Sequence, residues 1–227
     1  RNPEGMPSFD IIFVLPYPFS DHPSFPEGIL RKALNAEGFR VGILETPFWQ
    51  EKESFTIHGK PRLFFAVISG PVDSVVLNYT SSRRRRREDL YQFGGNAYFD
   101  GYPPSIKYKI RPDRTTLVFT NRLKEIFQDV PIVIGGLEAT LRCFAHYDFQ
   151  QDKIRRSILL DSRADLLAAG MGEKQLIGFA RALESGRTGN TLRLAGTAHL
   201  AKQSPEQSNY VELPSFEAIL EDRTKLL

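Results

Sequence analysis

Val130-Pro131-Ile132-Val133-Ile134-Gly135-Gly136-Leu137-Glu138-Ala139-Thr140 is the stretch that decides the fold. Pro131 opens it, where a missing N–H costs a strand little. Ile132, Val133 and Ile134 form a continuous β-branched run, the pattern of a parallel strand covered on both faces. The glycine pair Gly135-Gly136 then permits a sharp turn and close backbone approach to a ligand or a neighbouring strand. In an open α/β sheet, ligands sit beyond the carboxyl ends of the strands. The pair therefore stands either at a site or simply at a strand-to-helix packing corner.

Working outward, similar runs recur. Residues 10–16 form a first apolar strand, and a Pro- and aromatic-rich loop with Asp21-His22-Pro23-Ser24 follows it. A helix is predicted over 26–37, with Pro26 in its first turn and Ile29, Leu30, Ala33 and Leu34 as its apolar face. Gly38 stops it, and residues 39–44 make a second strand, completing a βαβ unit that forces parallel pairing. A short helix is expected around 51–57 and a third strand over 61–68, ending at Ser69-Gly70. Residues 72–79 read as a helical pass, and 111–127 as a helix entering the glycine-pair strand. Residues 145–156 read as irregular, 156–161 as a short strand or turn, and 164–170 as a fifth parallel strand leading to Gly172-Glu173 and a helix over 174–184. Residues 190–209 are weakly patterned; a final short strand over 210–215 and a last helix from 216 close the chain. The expectation is an α/β fold: a doubly wound, mainly parallel five-stranded sheet of Rossmann or flavodoxin-like order, helices on both faces, as one domain over 1–227. A long insertion spans about 80–110, containing Gly94-Gly95-Asn96 and Gly101-Tyr102-Pro103-Pro104; loops of that length are usually functional or disordered.

Composition sets limits. At 227 residues, 41% hydrophobic and 25% charged, the chain can bury a real core. No apolar run approaches the ~18 residues of a membrane span, so no membrane partner is expected. Net charge of +3 does not by itself argue for nucleic acid. A single cysteine, Cys143, excludes an internal disulfide or cysteine metal cluster and points to a reducing, cytoplasmic compartment. Arg1-Asn2-Pro3-Glu4-Gly5 reads as a cut end rather than a signal peptide.

Taken in order, Asp21-His22-Pro23-Ser24-Phe25, residues 38–43, Asn78-Tyr79-Thr80, Arg111-Pro112-Asp113-Arg114, Gly135-Gly136-Leu137-Glu138-Ala139, Ala145-His146-Tyr147-Asp148 and Leu213-Pro214-Ser215 resemble the N-terminal region of the YgiQ-type radical S-adenosylmethionine (SAM) proteins. More distantly, the chain is similar to cobalamin-binding-like Rossmann domains that precede radical SAM barrels. The resemblance implies a parent that binds a [4Fe-4S] cluster and SAM through a CxxxCxxC loop in a barrel beyond the end of this chain. That loop is absent here, so the resemblance implies a noncatalytic domain, without a cofactor or metal of its own, partnered by the barrel and covering or shaping the substrate side of its active site. The Arg- and Tyr-rich insertion would be a lid or partner surface. No substrate follows from the resemblance. Cobalamin modules that ligate cobalt use a DxHxxG loop; here Asp21 and His22 are adjacent and no glycine follows at that spacing. A cobalamin- or nucleotide-binding module is therefore the rival reading and not the favoured one.

Four strand-end loops are expected to converge on one rim: Asp21 and His22; Ser69 and Gly70; Gly135, Gly136 and Glu138; Gly172 and Glu173. His22 is a rim acid or ligand, or an imidazole bonded locally to Asp21. His146 beside Asp148 is an oriented imidazole or a structural network. Glu138 and Glu173 accept from a ligand hydroxyl or complement helix dipoles. Arg111 and Arg114 form a fork for an anion, or ion pairs closing the long loop. Arg83, Arg84, Arg85, Arg86 and Arg87 could track nucleic-acid phosphate, with Tyr91, Phe93, Tyr98, Phe99, Tyr102 and Tyr108 as stacking partners. Glu88-Asp89 follow at once, which favours a solvated charge run. Cys143 reads as a core thiol.

Overall fold

A computed structural model describes residues 8–23, 25–99, 108–187, 192–202 and 210–226. Parts of the reading above fall outside them: the amino-terminal Arg1 to Gly5, Ser24, and residues 100–107 of the insertion, including Tyr102. In chain order the first half holds β1 (Ile11–Leu15), α1 (Pro26–Ala36), β2 (Val41–Glu45), a 3-10 turn (Glu53–Phe55), β3 (Phe64–Ile68) and α2 (Ser74–Asn78). Then come α3 (Thr115–Ile126), β4 (Ile132–Gly135), α4 (Leu137–Leu141), β5 (His146–Asp148), β6 (Lys153–Arg155), α5 (Ile158–Ser162), β7 (Leu166–Ala168), α6 (Glu173–Glu184), β8 (Thr197–Ala198) and α7 (Phe216–Glu221).

The main sheet runs β2-β1-β3-β4-β7-β8. Its first five strands are the five read from sequence, all parallel and in flavodoxin order. Strand β1 shows why. All five of its residues are buried, and their period of two divides them between two cores. Ile11, Phe13 and Leu15 face α1 and α6, meeting Leu30, Leu34, Leu176 and Phe179. Ile12 and Val14 face the other side with Phe119, Leu123 and Leu159. Aromatic edges lock both layers: Phe64 on Phe179 at 5.1 Å and Phe55 on Phe119 at 5.4 Å between ring centroids.

Several local expectations are corrected. The sheet has a sixth strand, β8, antiparallel to β7; two residues are too few to leave a periodic signal. Residues 146–155, read as irregular, form the hairpin β5–β6. Residues 158–162 are helical, because the Ser157 hydroxyl caps the Leu159 N–H at 3.2 Å. Residues 210–215 form no strand; Ser215 instead caps α7 through the Ala218 N–H. Ile29 is exposed rather than buried in the face of α1.

The insertion follows α2. Its described part is pinned by isolated bridges, Tyr79 to Arg85, Glu88 to Asn96 and Tyr98 to Lys109. Its base is closed by a buried ion pair, Arg111 Nε donating to Asp89 at 3.0 Å. Among the described residues no helix is long and apolar enough to cross a membrane.

The two-layer core sets an expectation. Phe179→Ala, at a fully buried position, should cost about 3–5 kcal/mol in urea unfolding. Phe149→Ala, at an exposed one, should stay within about 0.5 kcal/mol.

Candidate functional site

Three strand-end loops meet where β3, β4 and β7 finish. The first two touch directly: Leu137 N–H donates to Gly70 O at 3.1 Å, and Ser69 donates to Gly135 O through both its N–H and its hydroxyl. Gly136 takes φ 90°, ψ −179°, a conformation essentially confined to glycine. A Cβ there would stand 2.6 Å from Ser69 Oγ and 3.0 Å from Gly70 N. Both conformation and close approach therefore demand glycine at 136. The third loop carries Gly172, φ 87°, at the start of α6, against Leu30 of α1.

Between these loops lies a cavity of about 360 Å³. Its mouth is formed by Pro23, Ile29, Pro71, Leu137, Thr140, Met171 and Glu173, its floor by Gly70, Gly135, Gly136, Gly172 and Leu176. The walls are aliphatic except for the Glu173 carboxylate and the Thr140 hydroxyl, and that hydroxyl donates to Gly136 O at 2.9 Å. Such a cavity takes an apolar group and offers it few hydrogen bonds.

The cavity does not occupy the β1/β3 crevice, where a flavodoxin-ordered sheet reverses direction and ordinarily binds its ligand. Tyr17 fills that crevice. Its ring occupies the space beside Gly70, 2.4 Å from where a Cβ would stand. Its hydroxyl donates to the buried Glu27 at 3.1 Å. Burial pushes the Glu27 carboxyl up from its ordinary value, and burial and Glu27 push the Tyr17 phenol up. From the insertion, Gln92 donates to Pro16 O at 2.6 Å, sealing the same end.

The rim residues read from sequence separate accordingly. Gly70, Gly135, Gly136, Gly172 and Glu173 line one cavity. Ser69 lies beneath its floor, buried. Asp21 and His22 are exposed and absent from the lining. Asp21 pairs with Lys32 at 2.9 Å, and its carboxylate lies over Gly28, where a Cβ would stand 2.6 Å away. His22 meets Phe25 edge-on.

Glu138 is fully buried and turned inward, accepting from Ser74 N–H at 3.0 Å and Thr116 N–H at 2.8 Å. Leu137 and Thr140, three apart, share the cavity face of α4, so 138 falls elsewhere. Arg111 is spent on Asp89. Arg114 and Arg155 both donate to Asp148, fixing the β5–β6 hairpin to the start of α3. Arg111 and Arg114 are thus both in internal ion pairs, Arg111 within the insertion and Arg114 to the β5–β6 hairpin. His146 is held below its ordinary value by burial, aided by Arg142 and Arg155. Residues 83–87 are exposed on the insertion, away from the cavity lining. Leu137, Thr140 and Met171 line the cavity without having been singled out. Met171's place between Gly170 and Gly172 was the available signal.

Cys143 is the chain's one cysteine, half-buried, its thiol pushed up by burial. Among the described residues no group of three or more His, Cys, Asp or Glu could hold a metal ion. The residues present do not fit an iron–sulfur cluster, which thiolates ordinarily hold. Nor does an imidazole face the cavity to ligate cobalt from below.

A family model described as radical SAM N-terminal matches residues 2–227. A UPF0313 protein of Geobacter sulfurreducens is 44% identical over 221 residues, 96% of this chain and 35% of that protein. A UPF0313 protein of Thermotoga maritima is 45% identical over 224 residues, 97% of this chain and 37% of that protein. The chain thus spans about a third of the length of the curated relatives it matches. Among solved structures, the radical SAM methyltransferase TsrM of Kitasatospora setae, with tryptophan substrate and a SAM analogue bound, aligns with a TM-score of 0.48 at 20% identity. That alignment covers 83% of this chain and 28% of that one. A structure of the same enzyme with cobalamin and a [4Fe-4S] cluster gives a TM-score of 0.48 over 85% of this chain and 29% of that one.

Two outcomes follow from the geometry. Gly136→Ala should destabilise by at least about 1–3 kcal/mol from backbone strain alone, read as a lower urea midpoint; Gly95→Ala, where a Cβ meets nothing within 4 Å, serves as the positive-φ control and should cost less. Asp148→Asn tests the clamp. Burial opposes the Asp148 carboxylate, but the Arg114 and Arg155 contacts prevail and hold it below its ordinary value. Its contribution is therefore complete above the unfolded value of 3.8 and is lost as pH falls through the lower folded one. The variant should be less stable by about 1.5–3 kcal/mol at neutral pH, and acid titration of the unfolding free energy should close that gap.

Proposed function

This chain belongs to the radical SAM N-terminal family, and from that premise we propose that it forms a noncatalytic domain covering the substrate side of a radical SAM active site. The observation that carries this reading is the apolar cavity together with its exposed apolar lip. Met171, 74% exposed, and Leu137 stand open on the cavity lining, and Leu141 at the end of α4 and Phe144 just after it are exposed as well. Large exposed apolar residues grouped around a cavity mark an interaction surface. The remaining two-thirds of the protein, by the length of the relatives, would carry the [4Fe-4S] cluster and SAM, and those groups supply the radical chemistry. This chain's residues close over the reacting centre, exclude water and offer an aliphatic wall to part of the substrate. Glu173, at the mouth, accepts a hydrogen bond from a substrate hydroxyl or amine.

Cobalamin or a nucleotide in the same cavity is the rival. The plugging of the β1/β3 crevice by Tyr17 argues against a flavodoxin-like nucleotide site, and the exposed His22 against lower-face cobalt ligation. Glycine N–H groups at the cavity floor leave room for a phosphate-bearing tail.

In the full-length protein, Leu141→Asp combined with Phe144→Asp should speed hydrogen exchange at residues 136–144 and 170–173 and lower substrate-dependent SAM cleavage. Cluster content should be unchanged. Equal exchange in both proteins would overturn the covering role. A visible cobalamin spectrum retained through gel filtration after mixing with hydroxocobalamin would decide for the rival.

A further inference from the structure

The arginine run is an ordered arm. Thr80 and Arg83 close a turn, Arg83 N–H donating to Thr80 O at 2.9 Å, with Arg83 at φ 59°. Thr80 N–H then donates to Arg84 O at 2.9 Å and Arg86 N–H to Asn78 O at 2.8 Å, so residues 79–86 fold into a small hairpin. In an extended strand alternate side chains share a face, about 6–7 Å apart. Arg85 pairs with Tyr79 across the hairpin, so by this alternation Arg84 and Arg86 share the other face, where Arg86 Nε donates to Tyr79 O at 3.1 Å and anchors its guanidinium to the arm.

Among the described residues none of the five arginines makes a salt bridge. Of the nearby carboxylates, Asp89 is paired with Arg111, whereas Asp113 accepts only from the neutral Asn78 amide at 2.7 Å and Tyr79 hydroxyl at 2.6 Å and keeps its charge beside Arg85 and Lys109. An open groove of about 640 Å³ runs along the arm, with Val76, Thr80, Arg84, Arg86 and Arg87 on its walls and Leu90 at its end. Glu88 is the one other carboxylate lining it.

On the far side of Arg85 lies a second cleft of about 400 Å³, lined by Trp49, Tyr108, Lys109, Pro112, Asp113 and Val118. The two rings meet edge-on at 5.8 Å, and the Trp49 indole N–H donates to Lys109 O at 2.8 Å, which fixes the ring. A strand of guanidiniums thus divides a cationic groove from an aromatic-walled cleft.

We propose that this surface binds single-stranded nucleic acid. Arg84, Arg86 and Arg87, which all line the groove, present their charges to the phosphate backbone, and an unstacked base enters the Trp49–Tyr108 cleft. An acidic peptide would use the arginines but has no group for the cleft. A duplex presents no free base face. The surface is separate from the apolar cavity, so it stands or falls independently of the covering role.

The test uses the full-length protein and fluorescence anisotropy at ~50 mM salt, with ~20-nucleotide RNA and DNA single strands, their duplex, and polyglutamate. Single strands should bind in the micromolar range or tighter, and the duplex and polyglutamate at least tenfold more weakly. Comparison of the two single strands identifies which source the site prefers. Arg84→Ser, Arg86→Ser and Arg87→Ser together should weaken single-strand binding at least tenfold and reduce the log–log salt slope by about 2. Arg86→Ser also removes hydrogen bonds to Val76 O and Tyr79 O, so the Arg84→Ser/Arg87→Ser double variant, which keeps them, is the control that should leave the thermal midpoint unmoved and still weaken binding. Tyr108→Ala should weaken binding several-fold with the salt slope unchanged. Absence of binding, indifference to the triple variant, or polyglutamate or duplex binding as tightly as single strands would overturn the proposal.

Discussion

A single buried guanidinium organises the upper half of this molecule. Arg111 and Asp89 have side chains 1% and 3% exposed, and their ion pair ties the far end of the insertion that follows α2 back to its interior. Around them the Asn78 amide holds the Arg111 carbonyl at 3.0 Å, and the guanidinium lies 5.7 Å from the Tyr17 ring centroid. Among the described residues Arg111 Nη2 has no hydrogen-bond partner. A buried pair of this kind is weak evidence for net stability, because desolvation offsets the attraction. Removal of one partner is another matter, since it strands a charge at a cost of about 3–5 kcal/mol. The pair's contribution is conformational: it leaves the insertion one way to close.

That closure has a consequence at the sheet. It brings Gln92 onto Pro16 and sets Arg111 against Tyr17, which in turn lies on Gly70 and bonds to Glu27. The β1/β3 crevice is thereby filled by the chain itself. Open space passes one position along the sheet, to the ends of β3, β4 and β7, where glycines at 70, 136 and 172 keep the loops low. The apolar character of the cavity follows from this shift, because the polar groups nearest it have been used. Glu138 holds the amides that begin α2 and α3, and Ser69 holds Gly135.

What the sequence disclosed follows the range of the forces involved. Five parallel strands and their order were legible because each is a local run of apolar residues punctuated by glycine or proline. The convergence of Gly70, Gly135-Gly136 and Gly172-Glu173 was legible because flavodoxin order puts strand ends on one edge. Strand β8 was not, having two residues and no period. The β5–β6 hairpin was not, because Arg114, 34 residues from Asp148, holds it. The inward turn of Glu138 was hidden for the same reason: its partners lie 64 and 22 residues away. Asp21 and His22 sit beside the rim but face solvent, and no local pattern separates that from facing inward.

The distribution of charge then argues for a division of labour within the chain. The cavity walls carry one carboxylate, Glu173, and one hydroxyl already bonded to the backbone, so they offer almost nothing for acid–base work. In the proposed covering role, an aliphatic wall of this kind acts by keeping water out, which strengthens electrostatic contacts in the site it covers and protects reactive species from side reactions. Cationic groups gather instead on the insertion, outside the cavity, where they meet solvent and any polyanion without raising the dielectric beside the apolar cavity. The Arg111–Asp89 ion pair that closes the insertion over the β1/β3 crevice fixes the base of the arm that holds the arginines out.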